Sequence, residues 1–448
     1  MSGRGTLSED DLARLMADMQ VSPPPAARPS AAARSAASSK AGRAALVSFA
    51  TLPRVAELRD QALAAQVLGL ENPYHRVHEV RAGALSRIAG REILNFASYD
   101  YLGLNGDPRI TQAVAQAAAE WGTSVSASRL SAGERPAHDA LEQALAALYG
   151  AESALVFVSG HATPLAVLPT LLGPKDLIVH DALMHNSVVL GAQLSGAARR
   201  NFPHNDLDAL EAMLARDRDR FERVLVVSEG LFSMDGDGPD LERLVALKER
   251  FGCWLMIDDA HGLGVLGATG RGIAEHAGVD PGRVDIWFGT LSKTLVSCGG
   301  YIAGPAVLTA YLKALAPGMV YSVGMPVPVA EAARTALAIM RAEPERVARL
   351  QANSRRFRDR AEAAGFDTGA AWGAGIVPVM VGDALRTVTL AQRLLERGAN
   401  AFPVLPPGVP EHSARLRFFI SAAHQPDHID TAVAALAEEG AKLGLGRV

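Results

Sequence analysis

Short apolar runs, each stopping at a glycine or a polar residue, punctuate the middle of the chain. They are ALVFVSG (154–160), DLIVHD (176–181), RVLVVSEG (223–230), CWLMIDD (253–259), VDIWFG (284–289) and GYIAG (300–304). Runs of this length and uniformity suit strands covered on both faces. Helical patterns such as AHDALEQALAALYG (137–150) and DLERLVALKERFG (240–252) lie between many of them. Strands alternating with helices predict an α/β fold around a mostly parallel sheet. Sheets of that kind collect ligands at the carboxyl ends of their strands, and the unusual polar residues of this chain gather there.

From about residue 325 the pattern changes to longer helices, followed by the short strands GIVPVMVG and ARLRFFIS. This predicts a second, smaller α+β domain. The expected organisation is an N-terminal extension over 1–50, a helix-and-strand segment over 51–100, a large domain over 101–325 and a small C-terminal domain over 326–448. A chain of 448 residues, 49% of them hydrophobic, has enough material for that core. Within the extension, Ser8 with Asp11 forms a capping signal ahead of Leu12, Leu15, Met16 and Met19, which share one helical face. The Pro/Ala/Ser stretch 21–44 reads as a flexible linker.

A formal net charge of -4 supplies no positive field for nucleic acid or an anionic membrane. No apolar run approaches the ~18 residues of a membrane helix. The N-terminus has no apolar segment of a secretory signal, and Cys253 and Cys298, the two cysteines, read as free thiols of a reducing compartment. A cytoplasmic protein is expected.

Among the polar residues at strand ends, Lys293 stands out. It sits in GTLSKTLVSCGG, a stretch of small and hydroxylated residues directly after an apolar run. An exposed helix lysine would have charged neighbours, so this amine suits chemistry or an anion. Gly262-Leu-Gly-Val-Leu-Gly267 matches a dinucleotide-binding glycine pattern, but Asp258, Asp259 and His261 precede it and more glycine follows it in place of an apolar helix. It is read as a loop. His180, His185 and His204 fit no common zinc spacing, so no metal is expected. No G-x-S-x-G elbow supports a serine hydrolase.

Asp258, His261 and Lys293 remain, at successive strand ends. An aldehyde cofactor such as pyridoxal 5′-phosphate needs this set: an amine for a Schiff base, a carboxylate for the pyridinium nitrogen and a histidine near the ring oxygen. Its phosphate needs backbone N–H groups and hydroxyls at a strand-to-helix turn. Ser159-Gly160-His161 and Thr290 offer them.

Here the sequence resembles the α-oxoamine synthases of the fold-type I, aspartate aminotransferase-like class. The motifs that carry the resemblance are NFASYDYLGL (95–104), GTSVSASRLSAGERPAH (122–138), SEGLFSMDGD (228–237), IDDAHGLGVLG (257–267), GTLSKTLVSCGGYIAG (289–304), YSVGMP (321–326) and RLRFFISAAH (415–424). It implies a large domain with a mostly parallel seven-stranded sheet and a smaller α+β C-terminal domain. It also implies that Lys293 binds the cofactor covalently, that Asp258 pairs with its ring nitrogen, that His261 contacts its ring oxygen and that His185 stacks on the ring. Gly160 and His161 would hold the phosphate, and Ser233 and Thr290 would touch the cofactor. Glu229 would lie near the substrate, and Arg417 would bind the amino-acid carboxylate. A homodimer with a shared active site is implied, with Tyr321 and Ser322 reaching a phosphate in the partner subunit. The implied reaction condenses a small α-amino acid with an acyl thioester and releases carbon dioxide and thiol.

Two positions depart from the biotin-pathway pattern. Tyr99 replaces an asparagine, as on the serine palmitoyltransferase side of the family, and Gly408 replaces a hydroxylated substrate contact. Other segments look closer to synthases of natural-product assembly lines, so an acyl carrier protein is the preferred donor over coenzyme A, and glycine, alanine or serine the amino acid. The alternatives are a coenzyme A-dependent synthase, a non-catalytic partner subunit and a simple aminotransferase.

Overall fold

The computed structural model describes residues 47–446. The capping signal at Ser8 and the linker 21–44 lie outside the described residues. The chain divides into two compact units that meet between Asn72 and Pro73. In the first, a 3-10 turn Phe49–Thr51 leads into the helix Pro53–Val67. Pro53 opens that helix, at a position where the missing N–H would have had no helical partner.

The second unit begins with a hairpin of β1 (Leu85–Ile88) and β2 (Arg91–Asn95), in which Ile88 faces Arg91. The two residues between them, Ala89 and Gly90, both have positive φ, 49° and 72°. That geometry matches the right-handed twist of paired strands.

Seven further strands form the large sheet. These are β3 (Ser153–Phe157), β4 (Leu177–Asp181), β5 (Ala198–Phe202), β6 (Val224–Glu229), β7 (Trp254–Asp258), β8 (Ile286–Thr290) and β9 (Gly300–Gly304). Their spatial order is β3-β9-β8-β7-β6-β4-β5. The strands from β8 through β7, β6 and β4 to β5 are parallel, and β9 runs antiparallel to both neighbours. The apolar runs split by parity between two cores. Val156, Val179, Val226 and Ile257 face one layer of helices. Leu155, Ile178, Leu225 and Met256 face the other. All the strands expected in this domain are present, and β5 is the addition. Its sequence, ARRNF, lies on the sheet edge with every second residue exposed, so it carries no apolar run.

The C-terminal part contributes β10 (Ile376–Gly382), β11 (Ala399–Asn400), β12 (Phe402–Val404) and β13 (Ala414–Phe419). β13 pairs antiparallel with β10 and β12, and β11 pairs in parallel with β2. The early hairpin therefore shares a sheet with a strand some three hundred residues later. β13 is buried along its whole length, arginines included. Among the described residues no helix is long and apolar enough to cross a membrane.

Candidate active site

β6, β7 and β8 end side by side. Glu229 is in register with Asp258, and Asp258 with Phe288. The loop after β8 carries Lys293. It closes on itself through Leu291 N–H to Gly299 O at 2.9 Å and Val296 N–H to Lys293 O at 3.0 Å. It is tied to the loop after β7 by the Thr294 hydroxyl, which donates to Leu263 O at 2.6 Å. The glycine pattern seen in the sequence serves that closeness: a Cβ on Gly264 (φ +76°) would come within 2.1 Å of the Thr294 side chain. The segment 262–267 is a loop, as expected.

Loss of hydration pulls the Lys293 amine down from its usual range, against the opposing pull of the Asp258 and Glu229 carboxylates. Asp258 and Glu229 are both buried and both pushed up, by burial first; the neighbouring Asp258 charge adds to the rise at Glu229. Asp258 accepts from Ala260 N–H at 3.0 Å, and Glu229 from Ser233 N–H at 3.4 Å. Two buried carboxylates thus face one lysine, with the Arg417 guanidinium close enough to couple to Glu229 and Lys293.

His185 caps the helix Asn186–Ser195, with its Nδ1 2.7 Å from the Ser187 hydroxyl. Desolvation, then the charge at Lys293, lowers it to about 4, so the ring is neutral. Its ring lies 6.2 Å from that of His161. His261 is buried and held well below its usual range, by burial first and then by Lys293. Its ring parallels that of Phe419, with centroids 6.2 Å apart. Tyr99, 40% exposed, overhangs the cleft with the Lys293 Nζ 5.9 Å from its ring centroid.

Beyond β3 the chain turns at Ser159-Gly160-His161 into the helix Ala162–Leu171. The Ser159 hydroxyl accepts from Ala162 N–H at 3.2 Å. A Cβ on Gly160 would lie 2.5 Å from the Thr290 hydroxyl oxygen, so only glycine lets this turn reach the strand that leads to Lys293. Thr290 donates to Gly299 O at 3.0 Å. A strand-to-helix turn at a helix start beside a hydroxyl is the kind of place that takes a phosphate.

Arg417, on β13, enters from the C-terminal part. Its Nη1 donates to Ser233 O at 2.9 Å, and its guanidinium lies 4.5 Å from the Phe419 ring centroid. Its Nε is buried with no partner among the described residues, a donor aimed at nothing the protein supplies. The loop that meets it is clipped by His204, whose Nδ1 and Nε2 lie 3.0 Å from Asp181 and Asp237. Burial alone would lower His204, but the two carboxylate hydrogen bonds outweigh it and raise it to about 10. The clip should therefore stabilise fully below the unfolded histidine value of about 6.5 and fade as pH rises toward about 10. The difference in melting temperature between the protein and His204→Asn is expected to shrink across that window; a constant difference would refute the imidazolium clip.

A family model for class I and II aminotransferases matches residues 91–436. The 8-amino-7-oxononanoate synthase of Symbiobacterium thermophilum is 42% identical over 360 residues, covering 80% of this chain and 91% of that protein. The chain belongs to the α-oxoamine synthases. The Geobacter sulfurreducens 8-amino-7-oxononanoate synthase is 41% identical over 394 residues, 87% of this chain and 97% of that protein. Among solved structures, a serine palmitoyltransferase of Sphingomonas wittichii has a TM-score of 0.84 at 30% identity, covering 89% of this chain and 100% of that one. A serine palmitoyltransferase solved with its PLP internal aldimine also scores 0.84, at 28% identity, covering 88% of this chain and 99% of that one.

In this α-oxoamine synthase the fold joins Lys293, Asp258, Glu229, His261, His185, Ser233, Thr290, Gly160, His161, Tyr99 and Arg417 around one cleft. No contact joins Ser322 to this group; its hydroxyl donates to Val323 O at 3.2 Å, and the neighbouring Tyr321 is 87% exposed. Gly408 lies in the loop between β12 and β13, its N–H bonded to Leu405 O at 2.9 Å. Sequence reasoning passed over Tyr101 and the His204 clip. Tyr101 lies inside the motif NFASYDYLGL, where its buried aromatic character was the one available signal. Among the described residues no cluster of His, Cys, Asp or Glu is arranged to hold a metal ion.

Proposed function

We propose that this α-oxoamine synthase joins a small α-amino acid to an acyl thioester with pyridoxal 5′-phosphate as cofactor, yielding an α-amino ketone, carbon dioxide and free thiol. The observation that carries this reading is the buried Glu229, Asp258 and Lys293 set at adjacent strand ends, with Arg417 reaching in from the C-terminal strand. The cofactor fits. The Gly160 turn suits a phosphate, the Asp258 carboxylate suits a protonated pyridine, and the neutral His185 ring suits stacking. Bound there, the cofactor supplies an aldehyde for the substrate amine and a ring that withdraws electrons from the substrate Cα.

The protein's residues do the rest. Lys293 would hold the cofactor through its amine and would serve as the base for the Cα proton; its lowered affinity for protons puts the neutral base within reach of ordinary pH. Asp258 would hold the proton on the ring nitrogen. Arg417 grips the amino-acid carboxylate with a planar fork that turns the C–COO bond toward the direction in which it must break. In net terms a new C–C bond forms at Cα, the thioester C–S bond breaks to thiol, the carboxylate leaves as carbon dioxide, and a proton returns to the carbon. Arg417→Ala is expected to raise KM for the amino acid by about 10- to 100-fold, the loss of a charged hydrogen bond, while the cofactor's absorbance persists. An unchanged KM would overturn this assignment.

The enzyme works as a homodimer, with Tyr321 and Ser322 completing the partner's phosphate site. The exposure of Tyr321, and the absence of any contact between Ser322 and the site residues of its own subunit among the described residues, support that reading. The donor is an acyl group on a carrier protein in natural-product assembly, a reading supported by the segments 124–138, 180–206 and 290–304, while the departures at Tyr99 and Gly408 weigh against the biotin-pathway substrates. A second reading, a coenzyme A-dependent 8-amino-7-oxononanoate synthase, draws on the 42% identity to such enzymes. Holoenzyme given glycine, alanine or serine with acyl-coenzyme A or acyl-carrier protein decides between them, read by thiol release, carbon dioxide and the product's mass. Efficient turnover with free acyl-coenzyme A would overturn the carrier reading. Amino-group exchange without carbon dioxide or thiol would overturn the condensation itself.

A further inference from the structure

His261 has two ring nitrogens, and its chemistry depends on which one carries the proton. Burial and the charge at Lys293 keep the ring neutral, so there is one proton to place. Nδ1 lies 2.7 Å from the Tyr101 hydroxyl. Nε2 has no protein hydrogen-bond partner among the described residues.

Tyr101 resolves the ambiguity. Its side chain is 0% exposed. Burial pushes its phenol well up, so the hydroxyl keeps its proton. Among the described residues, His261 Nδ1 is the hydroxyl's hydrogen-bond partner. If Nδ1–H were the donor, the phenolic hydrogen would be buried with no acceptor, a loss of about 1–3 kcal/mol. We infer that the Tyr101 hydroxyl donates to His261 Nδ1 and thereby fixes the tautomer in which Nε2–H faces the cleft as a donor. Tyr101 is thus a positioning residue, acting through His261.

The placement of Tyr101 supports this role. Its ring is wedged between the loop after β7 and the C-terminal part, with a Cβ on Gly375 coming within 3.2 Å of it. Its carbonyl accepts from Ala422 N–H at 2.7 Å, just beyond the strand that carries Arg417. Its ring and that of His261 both lie 6.2 Å from Phe419. The hydroxyl therefore has little freedom to turn toward another acceptor. An Nε2–H donor suits an anionic oxygen on the cofactor ring, whereas a bare Nε2 would repel one. That consequence rests on the proposed cofactor; the tautomer itself does not.

The test uses full-length protein labelled with ¹⁵N-histidine, loaded with pyridoxal 5′-phosphate and again after its removal. Nitrogen–proton correlations report which nitrogen is protonated, and His261→Asn identifies the signal. Wild type is expected to show Nε2–H and a bare Nδ1 in both forms. Tyr101→Phe keeps the ring and removes the donor. It should mix the tautomers and move the pH midpoint of the holoenzyme's absorbance change by about 0.5 to 1 unit, the size of one hydrogen bond. An Nδ1–H tautomer in wild type would overturn the inference, as would a Tyr101→Phe protein with both tautomer and midpoint unmoved. If that variant does not fold, the wild-type tautomer decides alone. An Nε2–H signal in a protein that releases no carbon dioxide or thiol would support the inference while sinking the condensation reading.

Discussion

Lys293→Ala is expected to lower kcat by about 10³-fold or more and to abolish the cofactor absorbance that borohydride would otherwise reduce onto the protein. The figure combines loss of a positioned general base, worth about 10²- to 10⁴-fold, with loss of the covalent attachment. The neighbouring side chains cannot take over. Asp258 and Glu229 are buried and driven toward their protonated forms by desolvation, and His185 and His261 lie too low on the basicity scale to replace an amine. Alanine removes one of the two cations coupled to the buried carboxylates and leaves Arg417, so the carboxylates should be still harder to ionise in the variant. The fold should survive, because the loop that carries residue 293 is held by its own backbone bonds and by Thr294. A Lys293→Ala protein with normal circular dichroism and more than a tenth of wild-type turnover would overturn the central assignment.

Asp258→Asn is expected to cost about 10²- to 10⁴-fold in kcat/KM, the effect of removing one partner of a buried charge pair. The substitution is conservative in shape. An amide oxygen still accepts from Ala260 N–H, as the carboxylate does at 3.0 Å. What it loses is the charge proposed to keep the cofactor ring nitrogen protonated. The variant should therefore bind cofactor and still form the lysine linkage, yet exchange the substrate Cα proton slowly, which deuterium uptake from heavy water would measure. Exchange within threefold of wild type would show that the ring nitrogen's proton is held by something else.

Much of this architecture was legible before any coordinates. The apolar runs around 154–160, 176–181, 223–230, 253–259, 284–289 and 300–304 all hold strands, because a strand buried on both faces leaves an unbroken apolar signature. The residues that follow the first five of those runs lie at the carboxyl edge; β9 runs the other way, so the residues after 300–304 lie at the opposite edge. The edge strand ARRNF was hidden because one of its faces meets solvent, and the two-residue β11 because its pairing with β2 joins parts of the chain some three hundred residues apart.

Local pattern thus determined the fold class and the strand ends and singled out Lys293 for the proposed chemistry, since periodicity and turn chemistry act over a few neighbouring residues. Only the tertiary structure decided that Glu229 stands level with Asp258, that Arg417 crosses from β13 to meet Ser233, and that Tyr101 faces His261 across 160 positions of sequence. Those relations depend on strand register and on side chains packed from distant segments. A hydroxyl's choice of partner is made in three dimensions, by whatever acceptor burial leaves within reach.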